Sequence, residues 1–247
     1  MVKRDFKSRY LNSVLGSVWS IIQPLAIILV YTLIFSQIMG ARLPGENNTL
    51  AYSIYLCAGL LPWQYFNETL LRLQGVFLDQ GSLLKKVNFP RSSLPIFIMI
   101  SVTINFLIIS ALYLVFLLII GRVPGWEILN VIPLLIIQQA FALGLGLIVG
   151  TLNVFFRDVG HFLGIVLQFW SWLTPIVYAK SIVPESMQWF YKWNIMVPIT
   201  EGFHSIFLNN KVPTYSSLLP VTLISIFLLI AAYYIFKKLD KEMVDEL

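Results

Sequence analysis

Two aromatic clusters, each interleaved with small hydrogen-bonding side chains, are the groups in this chain best suited to recognising a ligand. Trp63, Tyr65 and Phe66 stand beside Gln64 and Asn67, and Phe169, Trp170 and Trp172 stand beside Gln168, Ser171 and Thr174. A passage lined by flat aromatic faces and scattered amides and hydroxyls suits a sugar polymer. Sugar rings stack their C–H faces on aromatics while amides and hydroxyls exchange hydrogen bonds with the ring substituents. Weak, repeated contacts let a chain slide, where one tight site would trap it. The competing reading is a belt of Trp and Tyr at the membrane–water interface.

Catalytic chemistry finds less support. The two histidines, His161 and His204, fall in separate segments without cysteine or clustered carboxylates at ligand spacing, so no metal site is expected. Gly40 and Gly45 have the spacing of a phosphate-binding loop, but Glu46 follows where lysine is needed. If ATP is used, another chain binds it. The lone Cys57 permits no disulfide within the chain.

Ionisable residues in or near apolar segments are costly, and each calls for a role. Glu68 and Arg72, four residues apart, read as an i,i+4 ion pair. Arg157-Asp158 precedes an apolar segment and is expected to combine helix capping with an electrostatic latch to a neighbouring loop. Glu201 and His204, three apart, are candidates for holding a gate closed, with a solvated helix face as the alternative.

The elements that must position these residues are apolar and long. Six stretches of about 20 residues or more, Trp19–Met39, Tyr52–Leu71, Leu94–Ile120, Ile128–Leu152, Val159–Tyr178 and Leu218–Phe236, match the length a helix needs to cross a ~30 Å hydrocarbon core. The chain of 247 residues is 58% hydrophobic and 12% charged, with a mean hydropathy of +0.80. In lipid such segments must be helical, because each backbone polar group has to be paired within its own segment. The expected class is an all-α membrane protein, a single six-helix transmembrane domain over 19–237 with a short tail at 238–247. The first stretch is too long for a cleaved signal peptide and carries Gln23-Pro24, so it reads as a retained helix.

With the N-terminus in the cytoplasm, the inner segments collect Lys3, Arg4, Lys7, Arg9, Arg72, Lys85, Lys86, Arg91, Arg157, Lys237, Lys238 and Lys241. The outer segments hold only Arg42, Arg122, Lys180, Lys192 and Lys211. This bias puts both termini in the cytoplasm. It also makes the net charge of +5 a topology signal, with anionic membrane lipids rather than nucleic acid as counter-charge.

Three further segments stand apart. Residues 1–18 carry Phe6, Tyr10, Leu11, Val14, Leu15 and Val18 at helical spacing among basic residues, the pattern of an amphipathic helix in the headgroup plane, with a positive flank that orients the first span as the simpler alternative. Between the second and third stretches, Gly75–Arg91 predicts a short cytoplasmic helix ending before Pro90, either the best docking surface for a soluble partner or an ordinary amphipathic connector. Residues 180–210 are too long for a turn and apolar enough after Ile199 to form re-entrant outer helices. Gly146–Gly150 and Gly160–Gly164 are small-xxx-small pairs that permit close helix packing.

The run Asn153-Val-Phe-Phe-Arg-Asp-Val-Gly160, followed by Gln168-Phe-Trp-Ser-Trp-Leu-Thr-Pro-Ile-Val-Tyr178, resembles the fifth-helix signature of polysaccharide-export permeases in the type-2 ABC exporter family, the branch of the O-antigen and teichoic acid permeases. Lys3–Tyr10, Asn88-Phe-Pro-Arg91 and Lys192–Pro198 match as well, so the resemblance covers essentially the whole chain. It departs at Asn194-Ile195, where many members have Asn-Pro. The resemblance implies a homodimer in the bacterial cytoplasmic membrane, paired with two copies of a cytoplasmic subunit that binds ATP and Mg, and moving a lipid-linked polysaccharide. It makes residues 3–15 an interface helix and residues 76–88, with Leu83, Leu84, Lys85 and Lys86, the coupling helix that docks on the ATPase. Lys180–Asn210 then carries the outer gate. Export of a drug or lipid by the same architecture is an alternative, as is a membrane-embedded transferase on lipid-linked sugars, which would need a carboxylate pair or metal motif.

On this reading Arg4, Lys7 and Arg9 receive the pyrophosphate of the lipid-linked substrate through charge-assisted contacts at the inner headgroup level. Neutralising all three is expected to impair export while leaving membrane insertion intact. Surface-glycan staining of cells carrying the triple variant checks this, and normal export would refute the assignment.

Overall fold

The structure is a computed structural model that describes residues 18–34, 49–86, 91–239 and 242–246. The expected interfacial helix and its Arg4, Lys7 and Arg9 lie outside the described residues, apart from Val18. The elements in chain order are α1 (Trp19–Tyr31), α2 (Thr49–Asp79), α3 (Gly81–Lys86), α4 (Ser93–Ile119), a 3-10 turn Trp126–Asn130 leading into α5 (Val131–Phe155), and α6 (Asp158–Leu173). After 3-10 turns at Lys180–Ile182 and Glu185–Met187 come α7 (Trp189–Trp193), α8 (Met196–Asn209), α9 (Tyr215–Leu239) and α10 (Glu242–Glu246). Among the described residues there is no strand.

Three of these helices are long and apolar enough to cross a bilayer: α4, α5 with its leading turn, and α9. Their bounds fall within a few residues of the apolar stretches, because a continuous run of Leu, Ile, Val and Phe leaves little competition for the backbone.

Two helices differ from expectation. α2 runs eight residues past Leu71 to Asp79 and, at about 1.5 Å per residue, exceeds the thickness of the hydrocarbon core. Val76 and Phe77, expected on a separate loop helix, belong to α2 and are buried in the core, with Phe77 stacked on Phe236 of α9 at 5.5 Å. Among the described residues the separate short helix is Gly81–Lys86, after a one-residue turn at Gln80, and the last two residues of the expected 76–88 segment lie outside them. α6 in turn stops at Leu173, five residues before the expected end at Tyr178. Thr174 sits at φ −101°, ψ 134° because it precedes Pro175, whose ring disfavours helical geometry in the residue before it.

The centre of the subunit is the contact between α2 and α5. Apolar burial drives little association in a membrane, since lipid tails are as apolar as leucine; close backbone approach and internal hydrogen bonds take over. Gly146 and Gly150 supply the approach. A Cβ at Gly146 would lie 2.6 Å from Leu73 Cδ1, and one at Gly150 only 2.5 Å from the Leu73 carbonyl oxygen. The hydrogen bonds run along the same seam. Gln138 Nε2 donates to the Pro62 carbonyl at 2.6 Å, Gln139 Nε2 to Thr69 Oγ1 at 3.2 Å, and Asn153 Nδ2 to the Gln74 carbonyl at 3.0 Å. α9 closes on the far side of α5, where a Cβ at Gly144 would meet the Leu228 carbonyl carbon at 2.8 Å.

α4 is tied to α2 by polar contacts. Glu68 and Arg72 form the expected i,i+4 pair at 3.9 Å; Asn105 Nδ2 donates to Glu68 Oε2 at 3.0 Å, and Arg72 Nη1 to Ser101 Oγ at 3.3 Å. At the same end of α2, Leu84 of α3 and Met243 of α10 are buried in the core that holds Phe77.

The two small-xxx-small pairs behave differently. A Cβ at Gly164 meets nothing within 4 Å. Gly150→Ala is therefore expected to cost about 1–3 kcal/mol through overpacking against backbone that cannot yield, while Gly164→Ala is neutral or stabilising by roughly 1 kcal/mol through helix propensity. Thermal melts of the two variants in detergent decide between this and equal effects, which would refute the assigned contact.

Candidate functional site

The aromatic residues expected to share one passage separate into a core and a surface. Trp63 and Phe66, one helical turn apart on α2, point into the subunit and are buried. Together with Phe141 of α5 and Trp170 of α6 they make an edge-to-face cluster, with Trp170 centroids 5.5 Å from Phe66, 6.1 Å from Phe141 and 6.2 Å from Trp63. Tyr65 is buried on another side of α2, stacked at 4.4 Å on Phe106 and hydrogen-bonded to Thr103. Within one subunit Trp63, Tyr65 and Phe66 are covered by other side chains and Trp170 is partly so.

Phe169 and Trp172 are different. They are 66% and 64% exposed and continue a stripe on α6 that includes Asp158, His161, Phe162, Ile165 and Gln168, all exposed. Positions three and four apart share a helix face, so this is one continuous surface. Phe162 and Ile165 were not among the sequence candidates, although the spacing through Asp158, Phe162, Ile165, Phe169 and Trp172 was available to find them.

α6 is fastened at both ends by an asparagine. At its start, Asn153 Oδ1 accepts the Gly160 N–H at 3.0 Å while its Nδ2 holds Gln74 of α2. The expected capping by Arg157-Asp158 is not what forms. Arg157, at the N-cap position, makes no capping hydrogen bond, both side chains are exposed, and neither makes an ion pair among the described residues. Asn153 takes the cap because it reaches back from α5, and Asp158 retains only a favourable place at the positive end of the helix dipole.

At its end, Asn194 accepts from Trp170 Nε1 at 2.8 Å and from the Met196 N–H at 3.0 Å, and its Nδ2 lies 3.0 Å from both the Leu173 carbonyl and Thr174 Oγ1. One amide thus joins the last turn of α6 to the first turn of α8. The neighbouring Ile195 has φ −60°, ψ −29°, within the range a proline ring allows, and Asn194 is extended as a residue before proline should be. The backbone at Asn194-Ile195 is thus one that an Asn-Pro pair could also adopt.

The segment Lys180–Asn210 contains α7 and α8, and α8 ends on Asn210 in the left-handed conformation that asparagine tolerates. Glu201 and His204 face different partners. Glu201 pairs with Lys180 at 2.8 Å, and the Lys180 ammonium also lies 5.7 Å over the Tyr191 ring. His204 is buried, stacked on Tyr55 of α2 at 3.8 Å, with Nε2 3.0 Å from the Tyr55 carbonyl. Burial holds the imidazole well below the usual histidine range, so Nε2–H donates to that carbonyl. The Tyr55 hydroxyl in turn lies 3.0 Å from the Pro175 carbonyl and 2.9 Å from that of Tyr178. Gly59 makes room for His204: a Cβ there would lie 2.9 Å from Nε2. Between these groups opens a cavity of about 360 Å³ lined by Tyr55, Lys180, Glu201, His204, Ser205 and Asn209 among others.

Comparison with known proteins decides the class of this arrangement. The profile of the ABC-2 type transporter family matches residues 1–208. The chain belongs to the ABC-2 type transporter family. It is similar along its whole length to the O-antigen export system permease protein RfbA of Klebsiella pneumoniae, 33% identical over 243 residues that span 97% of this chain and 90% of the relative. The protein of that name from Myxococcus xanthus is 29% identical over 249 residues, 100% of this chain and 94% of the relative. The Polysialic acid transport protein KpsM of Escherichia coli is 24% identical over 203 residues, 80% and 76% of the two chains. An ABC-2 transporter with these helices is a multi-pass membrane protein, and the relatives are transport permeases, as the sequence reading of a permease rather than an enzyme required.

Because Ile195 already has proline-compatible geometry, Ile195→Pro is expected to shift the melting temperature of the detergent-solubilised protein by no more than about 4 °C, with surface export retained. A collapse of folding on that substitution would show that the Asn194 turn differs from the one described.

Proposed function

We propose that the chain is the membrane permease subunit of an ATP-driven exporter that moves a lipid-linked polysaccharide, of O-antigen type, across the bacterial cytoplasmic membrane. The supporting observation is the exposed α6 stripe in a chain that aligns end to end with O-antigen export permeases. A stripe facing lipid would not carry Asp158, His161 and Gln168, because polar side chains in a spanning segment face protein or water. Phe162, Phe169 and Trp172 offer flat faces for the C–H surfaces of sugar rings, and Gln168 and His161 offer hydrogen-bond partners. In this reading two copies of the chain turn their α6 stripes to a shared conduit. Six spans per subunit and both termini in the cytoplasm complete the topology.

The ATP-binding subunits, two per dimer, hold ATP and Mg and press on the cytoplasmic surface at α3, where Lys85 is exposed and Leu84 is anchored in the core. A push there reaches α2 through Phe77 and α9 through the Phe77–Phe236 stack. The basic residues Arg4, Lys7 and Arg9 meet the pyrophosphate of the incoming lipid, Arg157 and Asp158 lie at the cytoplasmic start of α6, and α7 and α8 form the outer gate.

Cells depleted of the protein should accumulate lipid-linked glycan on the cytoplasmic side and lose it from the surface. A glycan that stops growing would point to a transferase, and one that still reaches the surface would point to another cargo. In the same assay Phe169→Ala with Trp172→Ala should insert normally and lower export several-fold.

A further inference from the structure

The cavity beside α8 carries chemistry that the conduit reading does not use. It lies between α8, the start of α9 and the Pro175–Ser181 segment, and its volume of about 360 Å³ falls in the size range of small-molecule sites, roughly 300–1,000 Å³. Its walls are rich in groups that both donate and accept. Lys180 and Glu201 are paired at 2.8 Å across one side, Ser205 and Asn209 project from successive turns of α8, and the Tyr55–His204 stack closes another side. His204, one of the lining residues, uses Nε2 on the Tyr55 carbonyl, and its other ring nitrogen makes no hydrogen bond among the described residues.

Three classes of guest can be separated by this lining. An apolar guest would displace water from the ion pair and from the Asn209 amide without replacing its hydrogen bonds. An anion would find Lys180 as the one cation among the described residues of the wall, with that charge already met by Glu201, whose carboxylate would repel it. A neutral polyol meets neither objection. Its adjacent hydroxyls donate to the carboxylate and accept from the ammonium, so it spans the ion pair without bringing a charge of its own.

We infer that this cavity is a docking site for one or two neutral sugar units of the exported glycan, held against the outer gate as the chain emerges. The inference rests on the polysaccharide-export reading and adds to it a site away from the α6 stripe, built from α8 and the residues that brace it. A sugar seated there bridges Lys180 on the loop before α7 to Glu201 and Asn209 on α8, so occupancy ties the two parts of the gate together.

The test uses the full chain in lipid nanodiscs and, as probe, oligosaccharides one to three repeat units long released by mild acid from the surface polysaccharide of the cells that express it. Binding is measured by calorimetry and saturation-transfer NMR. The wild type is expected to bind, Ser205→Phe to abolish binding by filling the cavity, and Asn209→Ala to weaken it about fivefold, the loss of one net hydrogen bond. Asn209 is exposed, so its truncation keeps the test valid if the larger side chain prevents folding. Equal affinity in wild type and both variants overturns the site, as does displacement of the probe by inorganic phosphate, which would mark an anion site. Absence of binding to the wild type in cells whose surface glycan still depends on the protein overturns the site and leaves the export reading standing. Surface glycan that does not depend on the protein overturns the export reading and the site with it.

Discussion

Everything in this subunit depends on two helices approaching closely enough for their backbones to touch. Lipid gives no premium for burying leucine against leucine, so a membrane fold needs contacts that lipid tails cannot supply. Here they are the glycines of α5 against Leu73 of α2, reinforced by amides at Gln138, Gln139 and Asn153 that reach across the same seam. α4 joins through the polar group around Glu68 and Arg72, and α9 through Gly144. The long helix α2 touches all the others of consequence, and its extension to Asp79 carries that framework to the element proposed to meet the ATPase.

Asparagine is used twice for the same task at opposite ends of α6. Asn153 and Asn194 each present one oxygen and one NH₂ to groups on different elements, and helix ends are where such groups are left over. A helix anchored in this way needs little side-to-side packing. Its inner face meets α2 and α5 through Leu163, Leu167 and Trp170, and its outer face is free to carry residues selected for something other than stability.

Much of this was legible in the sequence, and the failures are instructive. α4, α5 and α9 could be read from apolar runs because in lipid the helix is the only economical state, so length and composition suffice. The Glu68–Arg72 pair followed from spacing alone. The end of α6 was misplaced because hydropathy continues through Pro175-Ile-Val while the backbone does not; the Thr174-Pro175 step outweighs the apolar run. The different burial of the two aromatic clusters could not be read for another reason. Trp63 and Phe169 are alike in type and in neighbours, and which face of a helix is covered depends on a partner that a single sequence does not name. Asn153 and Asn194 were within quoted motifs, yet their bonds to Gln74 and Trp170 join residues far apart along the chain.

A helix pinned at its two ends and loosely held along one face has a particular mechanical character. Sliding α6 along its axis would break the bonds of Asn153 at one end and of Asn194 at the other. Rolling it by a few degrees about that axis strains them far less, because side-chain amides can swivel. The soft coordinate of α6 is therefore torsion rather than a piston stroke. On the proposed conduit reading, a polymer that pressed on Phe169 or Trp172 would meet a helix able to roll under the load while Asn194 keeps Trp170 and the start of α8 on one oxygen.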